Sequence, residues 1–184
     1  MNPWSLPSEA TFGDKSYRIR ADFRDILEII RHLNDASQPE FVRWKIALTL
    51  FYEDPIPPEH TREALAFFSD FLSYGCHSPT NAPKLLDWEQ DAQVIIADVN
   101  KAAGTEIRAL PFLHWWTFLS WFHAIGEGQL STLISIREKL RSGKKLEKWE
   151  QDYYRKNRDL VTLRRQYTPE ELAEQEKLKK LLDT

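Results

Sequence analysis

Cysteine is nearly missing from this chain. Cys76 is the only one in 184 residues, which excludes an internal disulfide and suits a reducing compartment. Glycine is scarce as well, with six residues; a glycine-loop or turn-rich β protein needs more, and a helical one does not. No uninterrupted apolar run reaches about 18 residues, so no segment reads as a membrane-spanning helix. The start, MNPWSLPSEATFGDKSYR, has no basic patch leading into an apolar run, so no secretory signal is expected. Neither a glycine-rich phosphate loop nor a G-x-S-x-G elbow is present, and nothing in the sequence argues for an enzyme.

What is present is a globular composition: 42 % hydrophobic and 29 % charged residues, enough to bury a core and keep it in solution. The length predicts one helical domain over 1–166 with a helical C-terminal tail over 167–184. The net charge of −3 is unevenly spread. Residues 137–165 hold 11 basic and five acidic side chains, net +6, whereas 1–136 carry −7. Interspersed charges of this kind are the solvated side of a helix or, alternatively, a nucleic-acid contact.

The fold class predicted is all-α, a multi-helix bundle with at most a small N-terminal hairpin. Phe12 before Gly13-Asp14, and Tyr17 and Ile19 after it, mark that hairpin. Asp22 then opens a helix in which Phe23, Ile26, Leu27, Ile30 and Leu33 recur on one face. A second helix runs from about Pro39 to Tyr52. After the break EDPIPPEH, a third runs to about Tyr74, with Leu65, Phe68, Phe71 and Leu72 as its stripe and Gly75 as its cap. DWEQDAQVIIADVNKAA is read as a fourth helix ending at Gly104. Leu110 to Ile125 is read as an aromatic helix, followed by a basic helix to Arg141. Two more are expected at about 145–166 and 169–182, the last with Thr168, Pro169 and Glu171 as a capping box.

The aromatic helix, RALPFLHWWTFLSWFHAI, is apolar around most of its circumference. Such an element is buried in the core or in a subunit contact. His114 and His123 are nine apart and point to opposite sides, so they cannot share a metal; local hydrogen bonds account for them. Near-motifs fail on inspection. DWEQDA begins like a calcium loop, but Ala92 stands where the turn needs glycine, and its acids are explained by the helix dipole. Glu28 and His32 lack the paired carboxylates of a helical di-metal site. Cys76-His77 has no second thiol or organising acid. No catalytic residue, metal or organic cofactor is expected.

Near the C-terminus, Leu146, Trp149, Tyr153, Lys156, Leu160, Leu163 and Tyr167 are spaced 3, 4, 3, 4, 3, 4, a heptad seam. It either packs on the protein's own core or docks another helical protein. The docking candidates are therefore Trp149, Tyr153, Lys156, Leu160 and Leu163, joined by Trp116 and Trp121 because tryptophan is enriched at binding hot spots.

The segments DFRDILEIIRHLND and KIALTLFYED, and above all EIRALPFLHWWTFLSWF…IGEG with KKLEKWEQDYYR, resemble the bacteriophage gene-product-fifteen family. These are small helical proteins from the structural gene block of long-tailed phages and prophages of Gram-positive bacteria, typically encoded just before the tape-measure protein. The resemblance implies a tail assembly chaperone or adaptor without catalytic residues, acting in the host bacterial cytoplasm. Its implied partner is the tape-measure protein, with the tail-tube protein, a companion chaperone or a second copy of the chain as further partners. It implies no membrane. The alternative is a small nucleic-acid-binding or regulatory phage protein using the basic 137–165 region.

Overall fold

The computed structural model describes residue 2, residues 4–74 and 84–164, and positions 171, 173, 174, 177 and 179. The chain is mainly helical with one small antiparallel hairpin at its N-terminal end. In the hairpin, β1 (Glu9–Phe12) pairs with β2 (Lys15–Arg18) across Gly13-Asp14. Gly13 has φ +57°, a left-handed conformation that favours glycine and suits a two-residue hairpin loop. Alternation puts Ala10, Phe12 and Tyr17 inward, and all three are buried.

The next residues stitch the hairpin to the helices. Arg20 N donates to Phe51 O at 2.8 Å, Trp115 N to Ala21 O at 2.7 Å, and Phe23 N to Leu113 O at 2.9 Å. Asp22 caps α1 (Phe23–Leu33), accepting from Arg24 N at 3.0 Å, and also accepts from Leu113 N at 3.0 Å. α1 packs on α2 (Glu40–Phe51), and α3 (Thr61–Leu72) follows after a short 3-10 turn. α4 (Ala92–Ala103), α5 (Trp115–His123) and α6 (Gln129–Arg141) complete the body. Two short helices, α7 (Lys148–Lys156) and α8 (Arg158–Val161), close the C-terminal side.

The main core is aromatic. Phe51 lies between Phe68 and Phe71, at centroid distances of 4.8 and 5.0 Å, and Phe118 stacks on Phe23 at 5.0 Å. Trp115 and Trp116 are buried in it, as expected of the aromatic stretch, yet both also carry a polar duty. Trp115 Nε1 donates to Leu72 O at 3.2 Å and Trp116 Nε1 to Phe71 O at 2.9 Å. Two indoles thereby serve carbonyls at the end of α3, where intrahelical donors run out and Phe71 O otherwise has the 3.3 Å contact from Tyr74 N, a task phenylalanine cannot perform.

Several expected boundaries are corrected. The aromatic helix begins at Trp115, not Leu110. Leu113 is committed to backbone bonds with the start of α1, and His114 caps the helix, its Nδ1 accepting from Trp116 N at 3.0 Å. Phe112, expected on the apolar arc, is exposed as a result. α4 begins at Ala92, one turn later than read, because Asp87 folds its own turn by accepting from Glu89 N and Gln90 N at 3.0 and 2.8 Å. The expected helix over 145–166 breaks at Asn157 and ends at Val161. Gly75, Cys76-His77, Tyr167, Thr168 and Pro169 lie outside the described residues. Of the expected 169–182 helix, positions 171, 173, 174, 177 and 179 are described and helical.

Candidate functional site: an uncovered helix face and a polar clamp

α2 reads EFVRWKIALTLF. One apolar arc of α2 runs from Ala47 through Phe51, Trp44 and Leu48 to Phe41 at helical spacing. Ala47 and Phe51 are buried against the body of the protein, and Trp44 and Leu48 are half-buried against the main core. Phe41, Trp44 and Leu48 also line one wall of an open groove of about 820 Å³. The second wall comes from α3, through Thr61, Leu65, Ala66 and Ser69, and Ile56 of the intervening loop closes one end. Phe41 is 73 % exposed. Apolar helix surface belongs in a core or a contact, and here the Phe41 edge of the arc lacks a cover among the described residues. Tyr52 forms the floor beyond Leu48; its hydroxyl donates to Ala64 O at 2.9 Å, and burial raises its pKa above the ordinary phenol value.

The charges along the groove are few. Lys45 lies on the α2 wall, and Glu53 and Asp54 lie past the helix C-terminus. Arg18 Nη2 pairs with Glu53 at 2.9 Å. Asp54 and Lys45 have no salt-bridge partner among the described residues. Arg20 Nη1 sits under the same end, donating to Leu50 O at 2.7 Å and Tyr52 O at 3.2 Å.

The heptad seam is not one continuous face. Trp149 is 53 % exposed, its indole N–H donating to Glu147 at 2.9 Å, and Lys156 is exposed. Tyr153 and Leu160 pack against a second, smaller core made by Leu133, Ile136, Leu146 and Val161. Leu163 is half-buried beyond the end of α8. Of the two tryptophans joined to them, Trp116 is 3 % exposed and belongs to the interior, while Trp121 is half-buried against the main core. These seven residues therefore do not form one surface.

The seam breaks because side chains take the carbonyls that a continuing helix would use. Arg137 is buried, and all five of its N–H donors have acceptors. They reach Val161 O, Leu85 O, Leu160 O and both carboxylate oxygens of buried Asp91, at 2.6–2.9 Å. Gln90 Nε2 reaches Asp159 O, Leu160 O and Thr162 O, and its Oε1 accepts from Arg164 N at 2.9 Å. Asn157 Nδ2 donates to Tyr153 O at 2.9 Å.

This clamp revises the reading of the charged residues. Asp91 is the partner of a buried arginine rather than a surface acid in the helix dipole, and Asp98 is buried and accepts from Leu130 N at the start of α6 at 2.8 Å. Gly128 is required beside it, since a Cβ there would meet Asp98 Oδ2 at 2.5 Å. Arg137 leaves the basic surface, and so in part does Lys139, which pairs with buried Glu150 at 2.6 Å. Lys139 and the Glu147 N–H hold the Glu150 carboxyl below its ordinary value. His114 is satisfied locally only at Nδ1, as the cap of α5; its Nε2 contacts Pro7 O at 3.0 Å, 107 positions away, and burial lowers its pKa while that contact acts the other way. Glu28 forms surface pairs with Arg31 and His32. Among the described residues, no cluster of three or more His, Cys, Asp or Glu is placed to hold a metal, and no helix is long and apolar enough to cross a membrane.

The family model described as bacteriophage Gp15 protein matches residues 5–163. The chain belongs to the bacteriophage Gp15 family. Neither the curated proteins nor the solved structures contain a match to it. The Gp15 match runs from just before the hairpin almost to the end of the clamp, so it takes in the α2–α3 groove, both cores and the carbonyls held by Gln90 and Arg137. The groove was missed in the sequence because α2 was read as a single element without separating its faces. The available signal was the width of the apolar arc, which continues past Ala47 and Phe51 through Trp44 and Leu48 to Phe41.

Proposed function

We propose that this phage protein is a non-enzymatic tail assembly chaperone that binds helical segments of the tape-measure protein during tail morphogenesis in the host cytoplasm. The observation that carries the reading is the outer edge of the apolar arc of α2, which borders an open groove with Phe41 73 % exposed. A tape-measure protein is a long helical chain whose apolar stripes aggregate when unpaired. A handler for it needs apolar surface that accepts a helix, and helix-in-groove recognition uses anchors at 3–4 spacing. The buried charged groups support the same reading, since Asp91, Arg137, Asp98 and Glu150 are all engaged in holding the fold together.

The nucleic-acid reading is weakened by the same contacts. With Arg137 buried and Lys139 paired, the 137–165 region presents fewer free cations than its sequence suggests. The test is coexpression of the tagged chain with fragments of the tape-measure protein, followed by capture at high salt, where exposed ion pairs are screened. Fragments that stay soluble only with the chain and coelute with it support the function. Failure of every fragment to be captured or solubilised removes it.

A further inference from the structure

We infer that the α2–α3 groove is built for a single amphipathic helix of a partner protein, seated in one direction by an acidic residue over Lys45 and a basic residue over Asp54. The inference deepens the chaperone reading and rests on it for the identity of the partner. It rests on this groove alone for the chemistry.

Shape decides between a helix and a second copy. The open face is concave, with walls from α2 and α3 and an end formed by Ile56. Two copies meeting through this face would appose two hollows and leave both unfilled, whereas a protruding helix fills one. The α2 wall, from Phe41 to Tyr52, is about three turns long. That accommodates an occupant with apolar residues at i, i+4, i+7 and i+11, the way one helix reads another.

Charge decides the direction. Glu53 is already neutralised by Arg18, so the acidic character at the C-terminal end of α2 comes from Asp54. Lys45 stands near the middle of α2, nine positions before Asp54 in the chain, with Trp44 and Leu48 beside it. An occupant laid one way brings its acid to Lys45 and its base to Asp54. Laid the other way, its central acid stays near Lys45 but its base leaves Asp54; with its charges exchanged, it meets like charge at both places and turns its acidic end away from Asp54. Exposed pairs contribute little affinity individually, but like-charge juxtaposition penalises the wrong arrangement as well.

The test uses the full-length chain and two synthetic peptides about four turns long. Both carry leucines at i, i+4, i+7 and i+11. One has a glutamate near its middle and a lysine at one end; in the other these two are exchanged. Each peptide is titrated against the chain at low salt. Peptide direction in the groove is read by a spin label at the peptide N-terminus, broadening signals either near Phe41 or near Ile56. The inference expects the two peptides to bind in opposite directions. It also expects the Lys45→Glu/Asp54→Lys variant to reverse the direction of each, and Leu48→Asp to weaken both at least about tenfold, since a buried charge costs far more than a surface one. Leu48→Asp must keep the parent circular-dichroism spectrum; if it does not, Ala66→Glu, on the α3 wall, replaces it.

No binding by either peptide overturns the inference, as does binding that the groove variants leave unchanged or a direction indifferent to the charge exchange. A parent dimer in sedimentation that Leu48→Asp dissociates also overturns it, because the second copy is then the occupant. The same variants separate this from the chaperone reading. Tape-measure fragments captured equally by Leu48→Asp leave the function standing and remove the groove. Peptides that bind as expected while no tape-measure fragment is captured do the reverse.

Discussion

The two cores of this chain are held by different chemistry. The main one is broad and aromatic: Phe51, Phe68, Phe71, Trp115 and Phe118 are almost completely buried and touch ring to ring. The C-terminal one has Leu133, Ile136, Leu146 and Val161 as its buried residues. At roughly 1.5–3 kcal/mol for a fully buried aliphatic side chain, four such residues cannot easily order α7, α8 and their connections against backbone entropy. Arg137 and Gln90 supply the rest by donating to carbonyls from Asp159 to Thr162, and Asp91 holds the Arg137 guanidinium in place. Apolar burial tolerates the loss of part of a side chain in proportion to the atoms removed. A fully satisfied polar hub fails more abruptly, because each group left behind is buried and unpaired.

The sharpest way to break this comparison is to remove one member of each core. Arg137→Ala leaves the buried Asp91 carboxylate without its counter-ion, held by the Asp87 N–H at 2.9 Å, and strips donors from three carbonyls. Breaking a buried pair on one side costs about 3–5 kcal/mol, and we expect proteolysis to open first between Asn157 and Arg164. Trp115→Ala should cost about 3–5 kcal/mol as well, but through a cooperative drop in melting temperature with no early cleavage at that site. Chemical denaturation and limited proteolysis of both variants check this. Identical cleavage patterns would mean that the two cores are not held differently.

Acid should reach the two cores at different pH values. Burial lowers the pKa of His114 below its ordinary value of 6.5. Its unfolded form therefore takes up a proton first, and its contribution, present above about 6.5, is lost as pH falls from there to the folded value. The Glu150 carboxyl is lowered by Lys139 from an ordinary 4.5. Its contribution is present above about 4.5 and lost as pH falls through the lower folded value. Denaturation midpoints should begin to decline as pH falls below about 6.5. His114→Asn, which keeps a cap acceptor for Trp116 N, should flatten that first decline while Glu150→Gln flattens only the one below about 4.5. A first decline that survives His114→Asn would assign it elsewhere.

The smallest effect is expected at Trp149. It is 53 % exposed, so Trp149→Ala should change stability by no more than about 0.5 kcal/mol. A loss near that of Trp115→Ala would put Trp149 in the C-terminal core and restore a continuous seam.

Much of this architecture was legible without coordinates, for local reasons. Gly13-Asp14 between alternating apolar residues marked the hairpin, Asp22 marked the start of α1, and Phe68, Phe71 and Leu72 marked the inner face of α3, whereas Leu65, expected on the same stripe, lines the groove and Ala64 takes its place inside. The density of rings around Trp115 and Phe118 marked the centre of the core. Each of these depends on neighbours within a turn or a pair of strands, where side-chain spacing and backbone preference are coupled directly.

What tertiary structure decided lies in partners far apart in the chain. The spacing from Leu146 to Leu163 is helical throughout, yet Arg137 and Gln90 intercept the carbonyls that would have continued the helix. Arg137 sits in a basic run and turns inward because Asp91, 46 positions away, waits there. Leu113 leaves the aromatic helix because Asp22, 91 positions away, and the start of α1 claim its backbone. Periodicity proposes an element, but a buried polar group must be satisfied by whatever the fold brings near it. The open face of α2 follows the same logic: its apolar residues are written in the sequence, and only the packing of α1 and α3 shows which of them the chain leaves uncovered.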